Sequence, residues 1–286
     1  MKAKTILDHF LSRAEWVDRE STVDRVIVGN PEREVDRCLV TWMPSFAALR
    51  CVVDRQIPLL ICHEPTFWNH LDDKPASDPI SQAKLQFITA HDLVILRNHD
   101  CWDRWPGIGI PWAWGAFLGL GNTPSRVGAK GFQHRYDISP IPLDVLASQI
   151  ASRCRTLGEP LVQVTGHSNA VVSRIGVGTG CGCDIGAFLD MGCDCSIVCD
   201  DGSCYWAGIQ RAEDLNHPVI RVNHGTSEEP GMITLTDYIN RTFSGLHAEH
   251  LPHGSTFRLV GPERDRPNPT SDGIRQPADG PPKPSM

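Results

Sequence analysis

Short apolar runs alternate with amphipathic stretches along the first half of the chain. Residues 4–15 carry apolar side chains at helical spacing and predict an opening helix. Strand-like runs follow at 37–42, 58–62 and 93–97, and helices are predicted between them at 44–55 and 80–91. Such alternation is typical of an α/β fold with a mostly parallel sheet.

A similar order of elements returns in the second half. Predicted strands cover 172–178, 195–199, 219–222 and 256–260, with a shorter candidate at Gly131-Phe132. Predicted helices cover 143–157, 184–191, 203–214 and 229–243. We therefore predict two interlinked α/β domains, 1–125 and 126–260, with segment 217–260 completing the first. Residues 261–286 contain seven prolines and no apolar periodicity, so we predict a disordered tail.

The two halves can be overlaid on each other. A shift of 137 positions lays residues 35–64 on 172–201 without a gap, so that His63-Glu64 falls on Asp200-Asp201. A shift of 125 positions then lays Asn98 and His99 on Asn223 and His224. Polar residues thus recur at equivalent strand ends, where α/β sheets bind their ligands. We predict an internal duplication, with a site at the domain interface shared between the halves.

The amino-acid composition argues against several classes of function. Asp and Glu total 34 against 27 Lys and Arg, which gives a formal net charge of −7. This acidic balance argues against non-specific binding of nucleic acid or of an anionic membrane. The longest apolar run, 108–120, contains Pro111 and is too short to span a bilayer. Because residues 1–16 also lack the apolar stretch of a signal peptide, we predict a cytoplasmic protein.

Three predicted strands are each followed by a histidine and a carboxylate. The pairs are His63 with Glu64, His99 with Asp103, and His224 with Glu228. Parallel strands present their carboxyl ends at one edge of a sheet, so these groups can converge. Imidazole and carboxylate together suit Zn, Mn, Fe or Ni better than Ca. The alternative for each pair alone is a solvated loop, because twelve histidines produce such spacings often.

Charge counting indicates two divalent ions. Glu64, Asp103 and Glu228 supply three negative charges, and two divalent ions supply four positive charges. The one positive charge that remains is close to what one bridging hydroxide would neutralise. A two-metal site of this kind holds a nucleophilic water and stabilises an oxyanion.

Three short motifs, in this order, resemble those of a known protein family: ICHEP at 61–65, NHDCWD at 98–103 and NHGTSEEPG at 223–231. Over roughly residues 5–260 the chain resembles the dinuclear metal-centre hexameric proteins. These are the NGG-interacting-factor-three-like proteins, also described as homologues of GTP cyclohydrolase I type 2. The resemblance implies two α/β domains with a dinuclear metal centre between them, and a toroidal homohexamer. It implies the ligands His63, Glu64, Asp103, His224 and Glu228, with His99 orienting Asp103 from a second layer.

The chain departs from the family pattern at two places. The family often carries two adjacent histidines where this chain has His63-Glu64. A carboxylate there can bridge two metals and favours harder ions such as Mn or Fe. The second departure is TGCGCD at 179–184, where the family commonly has a turn rich in glycine and serine. Backbone N–H groups of Gly178, Gly180 and Gly182 could hold an anion here, or the glycines could serve a tight turn.

Eleven cysteines are many for a cytosolic chain, and six lie between Cys181 and Cys204. The predicted strand divides the six between two sheet edges: Cys181, Cys183, Cys199 and Cys204 at one, Cys193 and Cys195 at the other. Their spacings lack the C-x2-C pairs of zinc ribbons. They could bind a metal, form a redox-sensitive pair or be small buried side chains. Cys181 and Cys183 are the predicted reactive thiols, Cys183 foremost because a helix N-terminus lowers a thiol pKa.

Three functions are compatible with these observations. The first is a metal-dependent hydrolase in which a metal-bridging water attacks carbon or phosphorus; a GTP-like substrate is implied only by the resemblance. The second is a non-enzymatic metal-binding regulatory or metal-handling protein, and the third is a cysteine-ligated Zn or Fe–S module. Asp200 and Asp201 would support the ligands or contact a substrate, or else form a turn. We expect a homo-oligomer with a small-molecule substrate and with no nucleic-acid or membrane partner.

Overall fold

Two mixed β-sheets carry the fold, and helices cover their faces. The computed structural model describes residues 1–73, 77–128 and 130–260. Its strands are β1 (Arg25–Val28), β2 (Arg37–Thr41), β3 (Leu59–Cys62), β4 (Val94–Arg97), β5 (Arg126–Val127), β6 (His134–Pro142), β7 (Gln163–Thr165), β8 (Val171–Val177), β9 (Cys195–Cys199), β10 (Val219–Val222) and β11 (His247–His250). Its α-helices are α1 (Ala3–Arg13), α2 (Phe46–Asp54), α3 (Pro79–Ala90), α4 (Asp100–Asp103), α5 (Ile110–Phe117), α6 (Leu143–Cys154), α7 (Ile185–Asp190), α8 (Gln210–Asp214) and α9 (His224–Thr242).

The first sheet has the strand order β1-β4-β3-β2-β11. Strands β4, β3, β2 and β11 are parallel, and β1 pairs antiparallel with β4 at the edge. Every residue of β3 and β4 is buried, because helices cover both faces of these central strands. One face packs against α1, α5 and α9, and the opposite face packs against α2 and α3.

The second sheet has the strand order β5-β6-β8-β9-β10-β7. Its central strands β8, β9 and β10 are parallel, whereas the pairings of β5 with β6, β6 with β8 and β10 with β7 are antiparallel. The expectation of a mostly parallel sheet is therefore wrong for this sheet. A short turn joins β5 to β6, and a turn of that length permits only antiparallel pairing.

The predicted internal duplication is visible in the topology. Three parallel strands, β2-β3-β4, form the centre of the first sheet, and β8-β9-β10 form that of the second. The shift of 137 residues lays β3 on β9, and the shift of 125 residues lays β4 on β10. Equivalent strand ends in the two sheets therefore deliver the polar residues that the overlay aligned.

Short polar side chains begin several of the predicted helices. The Ser45 side chain accepts a hydrogen bond from the N–H of Ala48 at the start of α2. Asp184 does the same at the start of α7, where it accepts from Gly186 and Ala187. Each cap satisfies backbone N–H groups that have no partner within the helix.

Two predicted strands are wrong. Residues 256–260 have no regular secondary structure, and the strand that closes the first sheet is instead β11. Its sequence HAEH buries only Ala248, so no apolar run marked it. Gly131-Phe132 forms no strand but lies in the turn before β6, whose mixed polarity reflects its largely exposed faces.

Two predicted helices have different bounds. The helix predicted at 229–243 begins five residues earlier, at His224, and contains Pro230 in its interior. The helix predicted at 203–214 begins as a π-helical turn, Tyr205–Ile209, before α8. The earlier start of α9 matters for function, because it puts His224 and Glu228 one helical turn apart on one face.

Residues Met1–Ser255 form one unit that contains both sheets, and residues 256–260 belong to a second unit. Helix α9 packs on the first sheet and β11 joins it, whereas β10 stays in the second sheet. The domain division at 125/126 remains a prediction, and the predicted disordered tail at 261–286 lies outside the described residues. Among the described residues, no helix has the length and apolar character needed to cross a bilayer.

Candidate metal centre

Four of the five predicted ligands line one cavity of about 350 Å³, and the fifth, His63, is buried beside Asp103 and Glu228. His63 and Glu64 follow β3, His99 and Asp103 follow β4, and His224 and Glu228 lie in the first turns of α9 after β10. The cavity is lined by Glu64, Pro65, Trp68, Asn69, His70, His99, Asp103, Phe132, Thr179, Gly180, Cys181, Asp201, His224 and Glu228. The ends of strands from both sheets therefore supply its walls.

Backbone contacts fix the turn that carries His63 and Glu64. The N–H groups of both residues donate to the carbonyl of Trp42, at 3.0 and 2.8 Å. The buried Arg97 donates its Nε–H to the carbonyl of His63 at 2.9 Å. These bonds hold the His63 side chain in the interior, where it is fully buried.

Asp24 fixes the helix that carries Asp103. Its buried carboxylate accepts hydrogen bonds from the N–H groups of His99, Asp100 and Cys101, at the start of α4. A four-residue helix has little stability of its own, so this capping orients both His99 and Asp103. The sequence analysis did not find Asp24, because it lies 75 residues from His99.

Replacement of Asp24 by alanine is expected to destabilise the protein by about 2–3 kcal/mol, because one buried and two half-buried N–H groups lose their acceptor. Urea unfolding monitored by circular dichroism measures the change. Asp78→Ala is the matched control: this exposed cap of α3 accepts from Ser81, and its loss should cost about 1 kcal/mol. Equal losses in the two variants would contradict the role assigned to Asp24.

His63 is the centre of the cluster. Its Nε2 lies 3.4 Å from Asp103 Oδ1 and 3.4 Å from Glu228 Oε2. This buried nitrogen has no hydrogen-bond partner among the described residues. The His63 ring stacks on His99 with 4.4 Å between the ring centroids, and His99 Nδ1 lies 3.4 Å from Asp103 Oδ2. Two imidazoles and two carboxylates thus surround one small volume.

Glu228 connects His63 to His224. Glu228 Oε2 lies 3.0 Å from His224 Nε2 and accepts a hydrogen bond from Trp42 Nε1 at 2.9 Å. Glu64 Oε1 lies 3.6 Å from the same His224 nitrogen. Asp200 accepts the His224 backbone N–H at 2.6 Å, and its support of a metal ligand stays a prediction. Asp201 lines the cavity wall.

Burial favours the uncharged form of three of these side chains. Burial lowers the pKa of His63 to about 3, and the charge of His99 adds to this shift. Burial raises the pKa of Asp103 to about 7, although His99 opposes the shift. Burial and the charge of Glu228 both raise the pKa of Glu64. A cation within this cluster would stabilise the carboxylates and the neutral imidazole together.

For three groups of the cluster, neighbouring charges outweigh the effect of burial on the pKa. Burial alone would raise the pKa of Glu228, but the charges of His224 and His63 hold it at about 2. Burial alone would lower the pKa of His224, but Glu228 raises it to about 11. Asp103 and Asp100 likewise raise the pKa of His99 to about 9 against the effect of burial. Without a bound metal ion, the imidazoles of His224 and His99 are therefore the positive partners of the carboxylates.

The ligand atoms of two overlapping groups lie close enough to hold a metal ion: His63, His99 and Asp103, and His63, Glu64 and Glu228. The geometry therefore brings His99 within reach of an ion, whereas the sequence analysis assigned it to a second layer. His224 is in neither group, but its Nε2 lies 3.0 Å from Glu228 Oε2 and its side chain lines the cavity. Neither group contains a cysteine, so the described residues give no support to a cysteine-ligated module.

The glycine turn lies against the metal centre. A 3₁₀ turn spans Gly180–Gly182, and the N–H groups of Gly178 and Gly182 donate to the carbonyls of Ile197 and Thr179. An added Cβ at Gly180 would lie 3.1 Å from both Glu228 Oε1 and His224 Nε2. Close approach to the ligands thus explains glycine at position 180, and anion binding by the turn remains a prediction.

Gly180→Ala is expected to weaken metal binding by about 10-fold, because the new methyl group would displace the two ligand side chains. The backbone there also has a φ of +47°, which alanine adopts with strain. Calorimetric titration with Mn²⁺ and Zn²⁺ measures the affinity. Gly186→Ala, within α7, should leave it unchanged, because its new Cβ would approach only Asp184 at 3.1 Å. An unaltered affinity in Gly180→Ala would argue against this contact.

Two neighbouring cysteines differ in exposure. Cys181 is exposed and lines the cavity, where burial and the charges of Asp103, Asp201 and Glu228 raise its pKa. Cys183 is fully buried, and its Sγ lies 3.6 Å from that of Cys199. The sequence analysis missed the cavity residues Trp68, Asn69 and His70, because they occupy an irregular loop without hydrophobic periodicity.

The chain is thus an α/β protein with two duplicated sheets and a cluster of His, Asp and Glu side chains at their strand ends. The family model described as Duf34/NIF3 (NGG1p interacting factor 3) matches residues 1–253, so the chain belongs to this family. The membership confirms the resemblance drawn from the three motifs. No curated protein matches the chain.

Solved structures share the fold. The chain is similar to Staphylococcus aureus hypothetical protein SA1388, with a TM-score of 0.74 and 17% identity over 91% of this chain and 99% of that one. It is similar to reduced HcgD from Methanocaldococcus jannaschii, with a TM-score of 0.67 and 17% identity over 88% and 98%. A Bacillus cereus protein related to NIF3 has a TM-score of 0.71 and 12% identity over 91% and 99%. Such low identities show the fold alone.

Proposed function

We propose that the chain holds two divalent metal ions at this centre and uses them as a metal-dependent hydrolase. One observation carries the proposal: the buried Nε2 of His63 has no hydrogen-bond partner within residues 1–73, 77–128 and 130–260, and it faces Asp103 and Glu228 at 3.4 Å. A buried polar atom without a partner is costly, and a cation satisfies an imidazole nitrogen and carboxylates at once. The donor set of imidazole and carboxylate fits Mn, Fe, Zn or Ni.

We assign six side chains to the two ions: His63, Glu64, Asp103, His224, Glu228 and, from its geometry, His99. The group around Asp103 and the group around Glu64 would each hold one ion. Glu228 Oε2 lies near both His63 and His224, so Glu228 could serve both groups. Trp42 donates its Nε1–H to this oxygen and orients the carboxylate.

The cavity above the ligands is suited to a small substrate. Its volume of about 350 Å³ is in the range of small-molecule sites. When bound, such ions polarise a substrate oxygen and make water a nucleophile at neutral pH. The His70 side chain on the wall can then hydrogen-bond a polar group of the substrate, and the Asp201 carboxylate can accept a hydrogen bond from it. A GTP-like substrate remains an implication of the family resemblance.

A hydrolase screen tests the activity. Untagged protein loaded separately with Mn, Fe, Zn or Ni is assayed against carboxylic esters, amides, cyclic amidines and phosphoesters. Turnover that falls by at least about 100-fold in folded Asp103→Asn protein supports the hydrolase, because the variant loses a ligand charge without losing volume. Bound metal without turnover on any substrate would favour the metal-handling alternative.

We also propose a homo-oligomer, as the family resemblance implies. Tyr205 and Trp206 are 74% and 78% exposed, which suits a surface that another subunit covers. Light scattering coupled to gel filtration measures the mass in solution. A hexamer mass supports the ring, and a monomer at all concentrations would contradict it.

A further inference from the structure

We propose that Cys183 and Cys199 form a reversible dithiol–disulfide pair behind the glycine turn that lines the cavity, with exposed Cys181, two residues before Cys183, as the thiol through which an oxidant enters. The Sγ atoms of Cys183 and Cys199 lie 3.6 Å apart, in van der Waals contact. Both side chains are fully buried, so they meet each other rather than solvent.

The fold holds the two sulfur atoms together. Cys183 ends the glycine turn, and Cys199 is the last residue of β9. The backbone N–H of Cys199 donates to Cys183 Sγ at 3.1 Å, and the Cys199 thiol donates to the carbonyl of Gly180 at 3.8 Å. A small rotation of the side chains can therefore bring the sulfur atoms to bonding distance without a change of topology.

A disulfide fits the pair better than a metal. Two thiolates alone make an incomplete site, since zinc takes four ligands in structural sites. Among the described residues, no group of three or more candidate ligands includes a cysteine. The other fully buried cysteine of β9, Cys195, lies at the opposite end of the strand. The pair is thus limited to Cys183 and Cys199.

A low-molecular-weight disulfide can oxidise the pair by three steps of thiol–disulfide exchange. Cys181 reacts first because it is the exposed thiol of the three, although its raised pKa keeps the thiolate fraction small. This thiolate attacks the external disulfide, forms a mixed disulfide and expels one thiolate. Cys183 then attacks the Cys181 sulfur and expels the second external thiolate. Finally Cys199 attacks the Cys183 sulfur and restores the Cys181 thiol. Two protein thiols are oxidised, one external disulfide is reduced to two thiols, and the two cysteine protons go to the leaving thiolates.

Gly180 and Asp200 connect the cysteine pair to the proposed metal ligands. Gly180, whose carbonyl accepts from Cys199, packs against His224 and Glu228. Asp200, the residue after Cys199, accepts the His224 backbone N–H. Oxidation removes the thiol donor to Gly180 and draws the turn towards β9. We expect metal affinity to fall by about 10-fold, an effect that rests on the proposed function.

The test begins on the metal-free full chain. The protein is incubated with glutathione disulfide, free thiols are alkylated, and the unreduced digest is analysed by mass spectrometry. The expected product joins the Cys183 and Cys199 peptides and is reversed by dithiothreitol. Cys181→Ser should slow its formation on the order of tenfold, because the buried pair loses its accessible partner. Cys195→Ala is the matched control and should form the bond at the unaltered rate.

The outcomes separate the two proposals. Absence of the Cys183–Cys199 bond, or a final bond from Cys181 to another cysteine, would overturn the dithiol pair; this readout requires no metal and no variant that must fold. Equal Mn²⁺ and Zn²⁺ affinities in reduced and oxidised protein would overturn the coupling. Metal binding absent from the reduced protein would overturn the proposed function, while the mapped disulfide would still establish the pair.

Discussion

Replacement of His63 by alanine is expected to weaken binding of both metal ions by at least about 100-fold. His63 belongs to both groups of candidate ligands, so no other single change removes a donor from each. Its ring also stacks on His99 and faces Glu228, so the loss affects the orientation of the neighbouring ligands. Metal content after desalting, measured by mass spectrometry of the elements, shows the effect directly.

His134→Ala is the matched control for this experiment. His134 is also fully buried, its Nε2 has no hydrogen-bond partner in the described part of the chain, and burial lowers its pKa to about 4. It packs on Trp112 and does not line the cavity. We expect this variant to lose stability but to keep its metal. If both variants lose metal equally, the effect is one of folding and the assignment of His63 is wrong.

Replacement of Glu64 by glutamine is expected to have opposite effects on stability and on metal binding. Without metal, burial and the charge of Glu228 disfavour the charged form of Glu64 and raise its pKa, so the neutral amide should stabilise the protein at neutral pH. With metal, the same change removes a ligand charge and should weaken binding by about 10- to 100-fold. Urea unfolding with and without metal measures both effects.

A buried carboxylate outside the cavity gives the control for Glu64. Glu229 lies beside Glu228 in α9, but its Oε1 pairs with His250 Nε2 at 2.6 Å and accepts the N–H of His253. Glu229→Gln should destabilise the protein by about 1–3 kcal/mol and leave metal affinity within about twofold. A loss of stability in metal-free Glu64→Gln would mean that the cluster is a structural ion-pair network instead.

Much of the site could be predicted because its residues follow strands directly. A buried strand is recognisable from its apolar run, and the residues after parallel strands share one edge of the sheet. His63, Asp103 and Glu228 were therefore found from local sequence, and the structure brings them together. The overlay of the halves worked for the same reason, since it aligned strand ends rather than whole domains.

The supporting residues could not be predicted, because their contacts are long-range. Trp42 reaches Glu228 over 186 positions, and Asp24 reaches His99 over 75. Neither residue belongs to a histidine–carboxylate pair, so no local motif marked it. Strand β11 was missed for a different reason: it lies at a sheet edge with polar side chains, so pairing rather than burial defines it.

The metal content of the protein tests the central claim most directly. The chain is purified without a histidine tag or chelator, reconstituted anaerobically with Mn, Fe, Zn or Ni, desalted and measured for metal per chain. The account predicts two ions per chain with at least one of these metals, and their loss in His63→Ala but not in His134→Ala. Protein that stays metal-free with all four metals while correctly folded would contradict it.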